Sequence, residues 1–297
     1  MIKGIVAAVP ANVETNIGQA FIRMTGVVER RIVKNGTHNT HNLAVVAAQR
    51  LMANLEWVPE DISCIIFVTQ TPVVRMPATA CSFAHSLGCL CPSFDVNLAC
   101  SGYVYGLWLA SRVCAPGQRM LLVAGDTVSR MTAPGDRLFA DAVTVTAIES
   151  PSTPSTRYFV LGTDGSGFGS LIADPLIRMD GAAVMTFALA AVPKLVAETT
   201  MNANVDYYLF HQANKLIIDC IAKKCKLPAD RVPMNIARYG NTSSASIPLL
   251  MCDSECTEPL KQRGGRTVAM FGFGAGWSWG GALLRLDPLL CAEVVSV

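Results

Sequence analysis

The chain has 297 residues, 51% of them hydrophobic and 15% charged, enough to bury a large core in one big domain or two fused smaller ones. A formal net charge of +2 gives no general field for nucleic acid, so any basic docking surface has to be local. Eleven cysteines, an odd number without regular spacing, argue against a disulfide framework and fit a cytoplasmic protein.

The opening MIKGIVAAVPANVETN carries one lysine, a short apolar run and a turn, the pattern of neither a secretory signal nor a transit peptide. An apolar-periodic helix is expected over Asn42 to Leu55, then a strand over Ser63 to Thr69 and a helix from about Pro77 to Leu87. Next comes FDVNLACSG, residues 94–102, a strand-like run that meets Cys100 as a helix opens. Residues 150–157, SPSTPSTR, read as a polar connector. Beyond it the Ala-rich stretch from Gly181 to Pro193 is too short to span a bilayer and reads as a buried helix continuing to Thr199. A strand over Asp206 to Phe210, a helix from about Asn214 to Lys224 and a strand-like PMNIARYG follow.

The order helix, strand, helix, strand thus occurs twice, and Phe67-Val68-Thr69-Gln70 rhymes with Phe210-His211-Gln212. Such a duplication predicts two α/β halves, residues 1–150 and 151–297, with mainly parallel sheets and helices sandwiched between them.

Cys100 sits where the first turn of a helix points its N–H groups at the side chain, which predicts a lowered thiol pKa, rapid alkylation and a role as nucleophile toward an acyl carbon. The same residue type is as readily a small buried hydrophobe. Cys89, Cys91, Cys252 and Cys256 lack the spacing of a zinc site, and no metal is expected. Of four histidines, His211 ends an apolar strand before a polar turn, where parallel sheets gather catalytic side chains, although a satisfied core histidine fits the position too. Asn241, in a Gly-Asn turn, can be a polar ligand to substrate or simply a helix cap. FGFGAGWSWGG, residues 271–281, lets backbone approach a ligand closely but does not open a helix as a dinucleotide loop would.

TGVVERRI at 25–32, DVNLACSGYVYGL around Cys100, FHQANKLII at 210–218, GNTSSASIP at 240–248 and FGAGWSWGGALL at 273–284, in that order, resemble the β-ketoacyl-ACP synthase III family of thiolase-fold condensing enzymes. The resemblance implies a thiolase-like, duplicated five-layered αβαβα fold and a homodimer. It implies Cys100 as the acyl-carrying nucleophile, with His211 and Asn241 completing the triad. Ala275, where the family has glycine, is implied as a backbone oxyanion donor, and Phe273 as an apolar wall of the site. Arg137 in PGDR matches a residue that stacks on the coenzyme A adenine, and Asn214 falls among the substrate-binding positions. Met76 matches a bulky residue that the neighbouring subunit lends to the acyl pocket. Lys215, Lys223 and Lys224 keep the carrier-docking helix basic, as would any solvated helical face.

The implied reaction is a decarboxylating Claisen condensation of an acyl-cysteine with a malonyl thioester, bound to acyl carrier protein or coenzyme A, without metal or other cofactor. Alternatives are acyl transfer to an alcohol or amine, and a non-catalytic partner subunit of a sister synthase. Departures from the family are the missing adenine-stacking tryptophan between Asn16 and Thr25, Val28 and Leu216 in place of arginines, FADAVTVTAIE at 139–149 in place of a Gly-rich turn, and a short loop from Asp174 to Gly181. They point away from acetyl-coenzyme A toward a carrier-bound or wider acyl donor.

Overall fold

The computed structural model describes residues 2–34, 38–150, 157–253, 258, 260–261 and 265–297. The connector residues 151–156, and Cys256 of the second cysteine pair, lie outside the described residues. The first half runs β1 (Ile2–Val9), β2 (Val13–Thr15), α1 (Gln19–Thr25), β3 (Glu29–Arg31), α2 (Thr40–Leu55), β4 (Ile62–Val68), α3 (Thr79–Leu87), β5 (Ser93–Val96), α4 (Gly102–Val113), β6 (Arg119–Asp126) and β7 (Ala142–Glu149). The second runs β8 (Arg157–Thr163), β9 (Leu171–Ala173), β10 (Ile177–Met179), α5 (Gly181–Thr200), β11 (Tyr207–Phe210), α6 (Lys215–Lys224), α7 (Ile236–Tyr239), α8 (Ser246–Cys252), β12 (Arg266–Gly274), β13 (Ser278–Leu286) and β14 (Cys291–Ser296).

Two sheets carry the molecule, one of six strands in the order β14-β1-β7-β6-β4-β5 and one of four in the order β11-β12-β13-β8. The outer face of the first is covered by α2 and α3, whose Leu43, Ala44, Ala47, Ala48, Leu51 and Phe83 share a core with Ile65, Phe67 and Val123. That i, i+4 spacing makes α2 amphipathic, and the Asn39 side chain accepts the Asn42 N–H to start it. Between the sheets lie α4 and α8, where Tyr103, Leu107, Leu249 and Leu250 pack against Ile66 and Leu122 on one side and Met270 and Leu284 on the other. The outer face of the second sheet is covered by α5 and α6 through Phe187, Val192, Leu195, Ile217 and Ile221. The layers are therefore αβαβα.

Three expectations are corrected. The sheets are mixed rather than mainly parallel, because β7 runs antiparallel to both β1 and β6, and β13 to both β12 and β8. PMNIARYG holds the short helix α7, not a strand. The apolar helix α5 is 20 residues long, and by length and composition alone it could cross a membrane. It is not one of the sandwiched helices: it lies on an outer layer, burying one face on the second sheet, and the enclosed positions belong to α4 and α8. All three helices are apolar in sequence, so only topology separates outer from inner. Topology also returns β14 to the first sheet, parallel beside β1.

Candidate active site

Cys100 lies in a 3-10 turn, Ala99–Ser101, that leads directly into α4. Ala99 adopts the left-handed φ of 42°, a strained conformation for a residue with a Cβ, and this bend turns the cysteine toward the glycine-rich end of β12. The fit there is tight. A Cβ added to Gly274 would stand 2.9 Å from the Cys100 Cβ and 3.2 Å from its sulfur, so only glycine lets the strand pass the nucleophile.

His211 follows the last residue of β11, and its N–H donates to the Phe271 carbonyl. The ring is buried, edge-on to Phe273 with centroids 5.6 Å apart, and Phe273 immediately precedes Gly274. Nδ1 lies 2.7 Å from Ser246 Oγ, which also accepts the Gln212 N–H. Asn241 is buried, and its backbone is held by residues of the first half, donating to the Leu138 carbonyl and accepting from the Ala140 N–H. Its Oδ1 accepts the Ser243 N–H at 3.0 Å, and Nδ2 donates to the Ala213 carbonyl at 3.3 Å. It is not the N-cap of α8, which begins five residues later with Ala245 in that place, but its Oδ1 satisfies the first N–H of the 3-10 turn Ser243–Ala245 that leads into α8. Ser243, itself at φ 51°, lines the same cavity as Cys100, and its hydroxyl favours the thiolate form of the cysteine. Cys100 is thus linked to His211 through Gly274 and Phe273, and Asn241 to the same region through Ala213 and Ser243.

A cavity of about 500 Å³ opens at Cys100, lined by Leu98, Val128, Met131, Phe139, Phe168, Leu171, Ile172 and Ile177 along its apolar walls and by Ser243, Ala275 and Gly276 near the sulfur. Its size is that of a small-molecule site.

The electrostatics overturn one expectation. Burial pushes the Cys100 thiol up to about 12, a rise only partly offset by the Ser243 hydroxyl, and the Asp126 carboxylate adds to it. Desolvation outweighs the helix start, because the sulfur sits one 3-10 turn ahead of α4 and is enclosed by the glycine strand. Selective rapid alkylation of Cys100 is therefore not expected, since it is 8% exposed while Cys81 is open to solvent.

Burial likewise drives the His211 imidazole down to about 3, so it is neutral at working pH. Because its folded pKa lies below the ordinary imidazole value, the unfolded chain binds the extra proton. This contribution to stability is whole above about pH 6.5 and is lost as pH falls toward 3. Asp126 and Asp141, whose buried carboxyls are pushed up, act in the opposite sense. A His211→Gln variant is accordingly expected to lose less melting temperature than wild type between pH 7 and pH 4; parallel melting curves would refute the assignment.

The peripheral positions divide. Arg137 is exposed and donates to the Ile17 carbonyl at 3.0 Å. Asn214 caps α6 by accepting the Ile217 N–H. Lys215 pairs with Asp219 and Lys224 donates to the Leu189 carbonyl, while Lys223 is exposed. Met76 is 86% exposed and does not line the cavity of its own chain. Three residues went unnoticed in the sequence, Ser246, Ser243 and Asp126, whereas Gly274 lies in the glycine-rich run expected to approach a ligand closely. The first two lie inside the quoted GNTSSASIP, where serine-rich text gives no hint of which hydroxyl faces inward.

Family models for 3-oxoacyl-[acyl-carrier-protein (ACP)] synthase III match residues 94–165, and for its C-terminal part residues 195–286. A β-ketoacyl-[acyl-carrier-protein] synthase III of Streptococcus suis is 35% identical over 291 residues, covering 88% of each chain. The chain belongs to the 3-oxoacyl-ACP synthase III family. A 3-oxoacyl-(acyl-carrier protein) synthase from Burkholderia xenovorans LB400 superposes with a TM-score of 0.93 at 38% identity, over 100% of this chain and 96% of that one. The priming β-ketosynthase of the R1128 polyketide pathway does so with a TM-score of 0.85 at 27% identity, over 97% and 96%. The fold of this synthase III family member is the thiolase-like one that the resemblance implied. It is an acyltransferase by family.

Proposed function

We propose that the protein joins a Cys100-bound acyl group to a malonyl thioester with loss of CO2, giving a β-ketoacyl thioester. The observation that supports this reading is a cysteine opening on an apolar cavity, with a buried neutral histidine and a buried asparagine amide linked to it through intervening residues of the glycine strand and the Asn241–Ser243 turn. Residues 1–150 supply the nucleophile, and residues 151–297 supply His211, Asn241 and the glycine turn.

In the loading step the Cys100 sulfur bonds to the thioester carbonyl carbon, the carrier thiolate leaves and takes up the proton given up by Cys100, and the oxyanion faces the N–H groups of Cys100 and Ala275. In the second step malonyl thioester loses CO2 while its carbonyl oxygen accepts hydrogen bonds from His211 Nε2–H and Asn241 Nδ2. Ser246 suits His211 to this role: its oxygen accepts the Gln212 N–H, and with its hydroxyl donated to Nδ1 the ring proton sits on Nε2, facing the substrate in this mechanism. The low pKa of His211 keeps it a neutral donor throughout. The carbanion then attacks the acyl-Cys100 carbonyl and the cysteine thiolate departs. Phe273, buried against the imidazole, favours release of the carboxylate as neutral CO2. These steps use side chains and backbone N–H groups, so acyl and malonyl thioesters are the only small molecules the reading requires, without metal or cofactor.

Acyl carrier protein is the proposed partner, with Lys215, Lys223 and Lys224 on α6 and Asn214 at its start facing the acidic carrier, and Arg137 left for coenzyme A. A homodimer accords with the open edge of β5 and with Val73, Val74 and Met76 lying exposed near it. All ten described cysteines are free, in keeping with action in the reducing cytoplasm. The missing adenine-stacking tryptophan and Val28 weaken the grip on coenzyme A, so the proposed donor is a wider acyl chain on a carrier. Intact-protein mass spectrometry after incubation with a panel of acyl-carrier and acyl-coenzyme A thioesters tests this. The expected result is a Cys100 adduct formed fastest from a carrier-bound donor longer or more branched than acetyl. Fast acetyl transfer from coenzyme A ahead of every carrier donor would refute the preference, and absence of any adduct the reaction.

A further inference from the structure

Two buried serines tie the nucleophile turn to the glycine turn. Ser101, the residue after Cys100, has its hydroxyl 2.9 Å from the Leu98 carbonyl oxygen. Ser278, which closes the 3-10 turn opened by Ala275, has its hydroxyl 3.0 Å from the Ala275 carbonyl oxygen. The two hydroxyl oxygens lie 2.7 Å apart, across 177 residues of sequence, and the residues are 0% and 2% exposed.

Three contacts share two protons. Two oxygens at 2.7 Å with no proton between them would repel, so one hydroxyl donates to the other and the remaining one donates to its own carbonyl. Either arrangement links the Leu98–Ser101 turn to the Ala275–Ser278 turn by a continuous hydrogen-bonded chain. Neither serine needs the other to be satisfied, because each has a backbone carbonyl within reach. The pair is therefore an addition to the packing rather than a requirement of it. Beside it the two segments touch through bare backbone: a Cβ on Gly272 would lie 2.9 Å from the Ser101 Cα and 3.0 Å from the Cys100 carbonyl oxygen.

We propose that the Ser101–Ser278 hydroxyl pair is a positioning device that fixes the spacing between the Cys100 and Ala275 N–H groups, and so governs acyl transfer to and from Cys100. The inference rests on the condensing reading above, in which those two N–H groups receive the oxyanion. Malonyl decarboxylation, assigned there to His211 and Asn241, does not pass through this pair. A displacement of donors by a fraction of an ångström is enough to cost rate, since an oxyanion hole works only when its donors are already in place.

Ser101→Ala, Ser278→Ala and the double variant, in the otherwise intact protein, test the pair with three readouts: rate of acyl-Cys100 formation, rate of malonyl decarboxylation, and melting temperature. Each single variant is expected to form the acyl adduct about tenfold more slowly, with the double no slower than the slower single, because both serines act through one link. Decarboxylation should stay within about twofold, and the folded state should persist because the remaining hydroxyl keeps its carbonyl. Loss of both activities together, in step with a fall in melting temperature, would reduce the pair to ordinary packing and overturn the proposal, as would effects that multiply in the double variant. Wild type that forms no adduct would instead sink the condensing reading itself, a result separate from any difference among the serine variants.

Discussion

Replacing His211 or Asn241 by alanine is expected to slow malonyl decarboxylation by about a hundredfold or more, the usual effect of losing a donor to a developing oxyanion. In the proposed mechanism each side chain presents a neutral N–H to the thioester carbonyl, and burial keeps the imidazole neutral across the working pH range. Acyl loading onto Cys100 should survive His211→Ala better than decarboxylation does, because its oxyanion is assigned to backbone donors. Asn241→Ala is the harsher of the two for the fold, since Oδ1 also accepts the Ser243 N–H, and Ser243 lines the cavity with Cys100. Single-turnover loading and CO2 release measured on the same preparations decide the matter. If both fall equally in His211→Ala while the protein stays folded, the division of roles is wrong.

Gly274→Ala is expected to cut acyl loading to about a hundredth of the wild-type rate or less while the protein still folds. The new Cβ would lie 2.9 Å from the Cys100 Cβ and 3.2 Å from the sulfur, distances at which something must move. What moves is the nucleophile or the Ala275 N–H beside it, since neighbouring Gly272 is pressed equally hard against Ser101. Overpacking of this kind costs roughly 1–3 kcal/mol of stability, enough to lower the melting temperature without unfolding a chain of this size. Gly165→Ala, at a glycine whose Cβ would meet nothing within 4 Å, should change neither property. Normal loading by Gly274→Ala would mean that the glycine strand is not the wall against which Cys100 works.

The layered fold was legible because each half repeats the same order of elements, and because motifs fell at strand ends. Cys100 and His211 stood out as candidates because each follows a β-like run at a turn, whereas Asn241 read as readily as a helix cap and was singled out by the family resemblance. The strand direction of β7 and β13 was not legible, since apolar runs buried on both faces look alike whichever way they point. Nor was the ionisation of Cys100, because a helix start is visible in sequence whereas the glycine strand that buries the sulfur comes from 174 residues further along, at Gly274. The Ser101–Ser278 pair was hidden by the same separation. GWSWGG displays its tryptophans and glycines, and the serine between them carries no signal until the turn is built.

The pairing of β14 with β1 bears on the order in which the molecule can assemble. β1 is flanked by β7 on one side and β14 on the other, and residues 291–296 leave the ribosome after every other described strand. Until then one edge of β1 presents unpaired amides and carbonyls, an adhesive template for other nascent chains. The sheet that carries the nucleophile at its far side is thus sealed last, and chaperone dependence, or inclusion-body formation at high expression, should be sensitive to substitutions in Cys291–Ser296 that leave every catalytic side chain untouched.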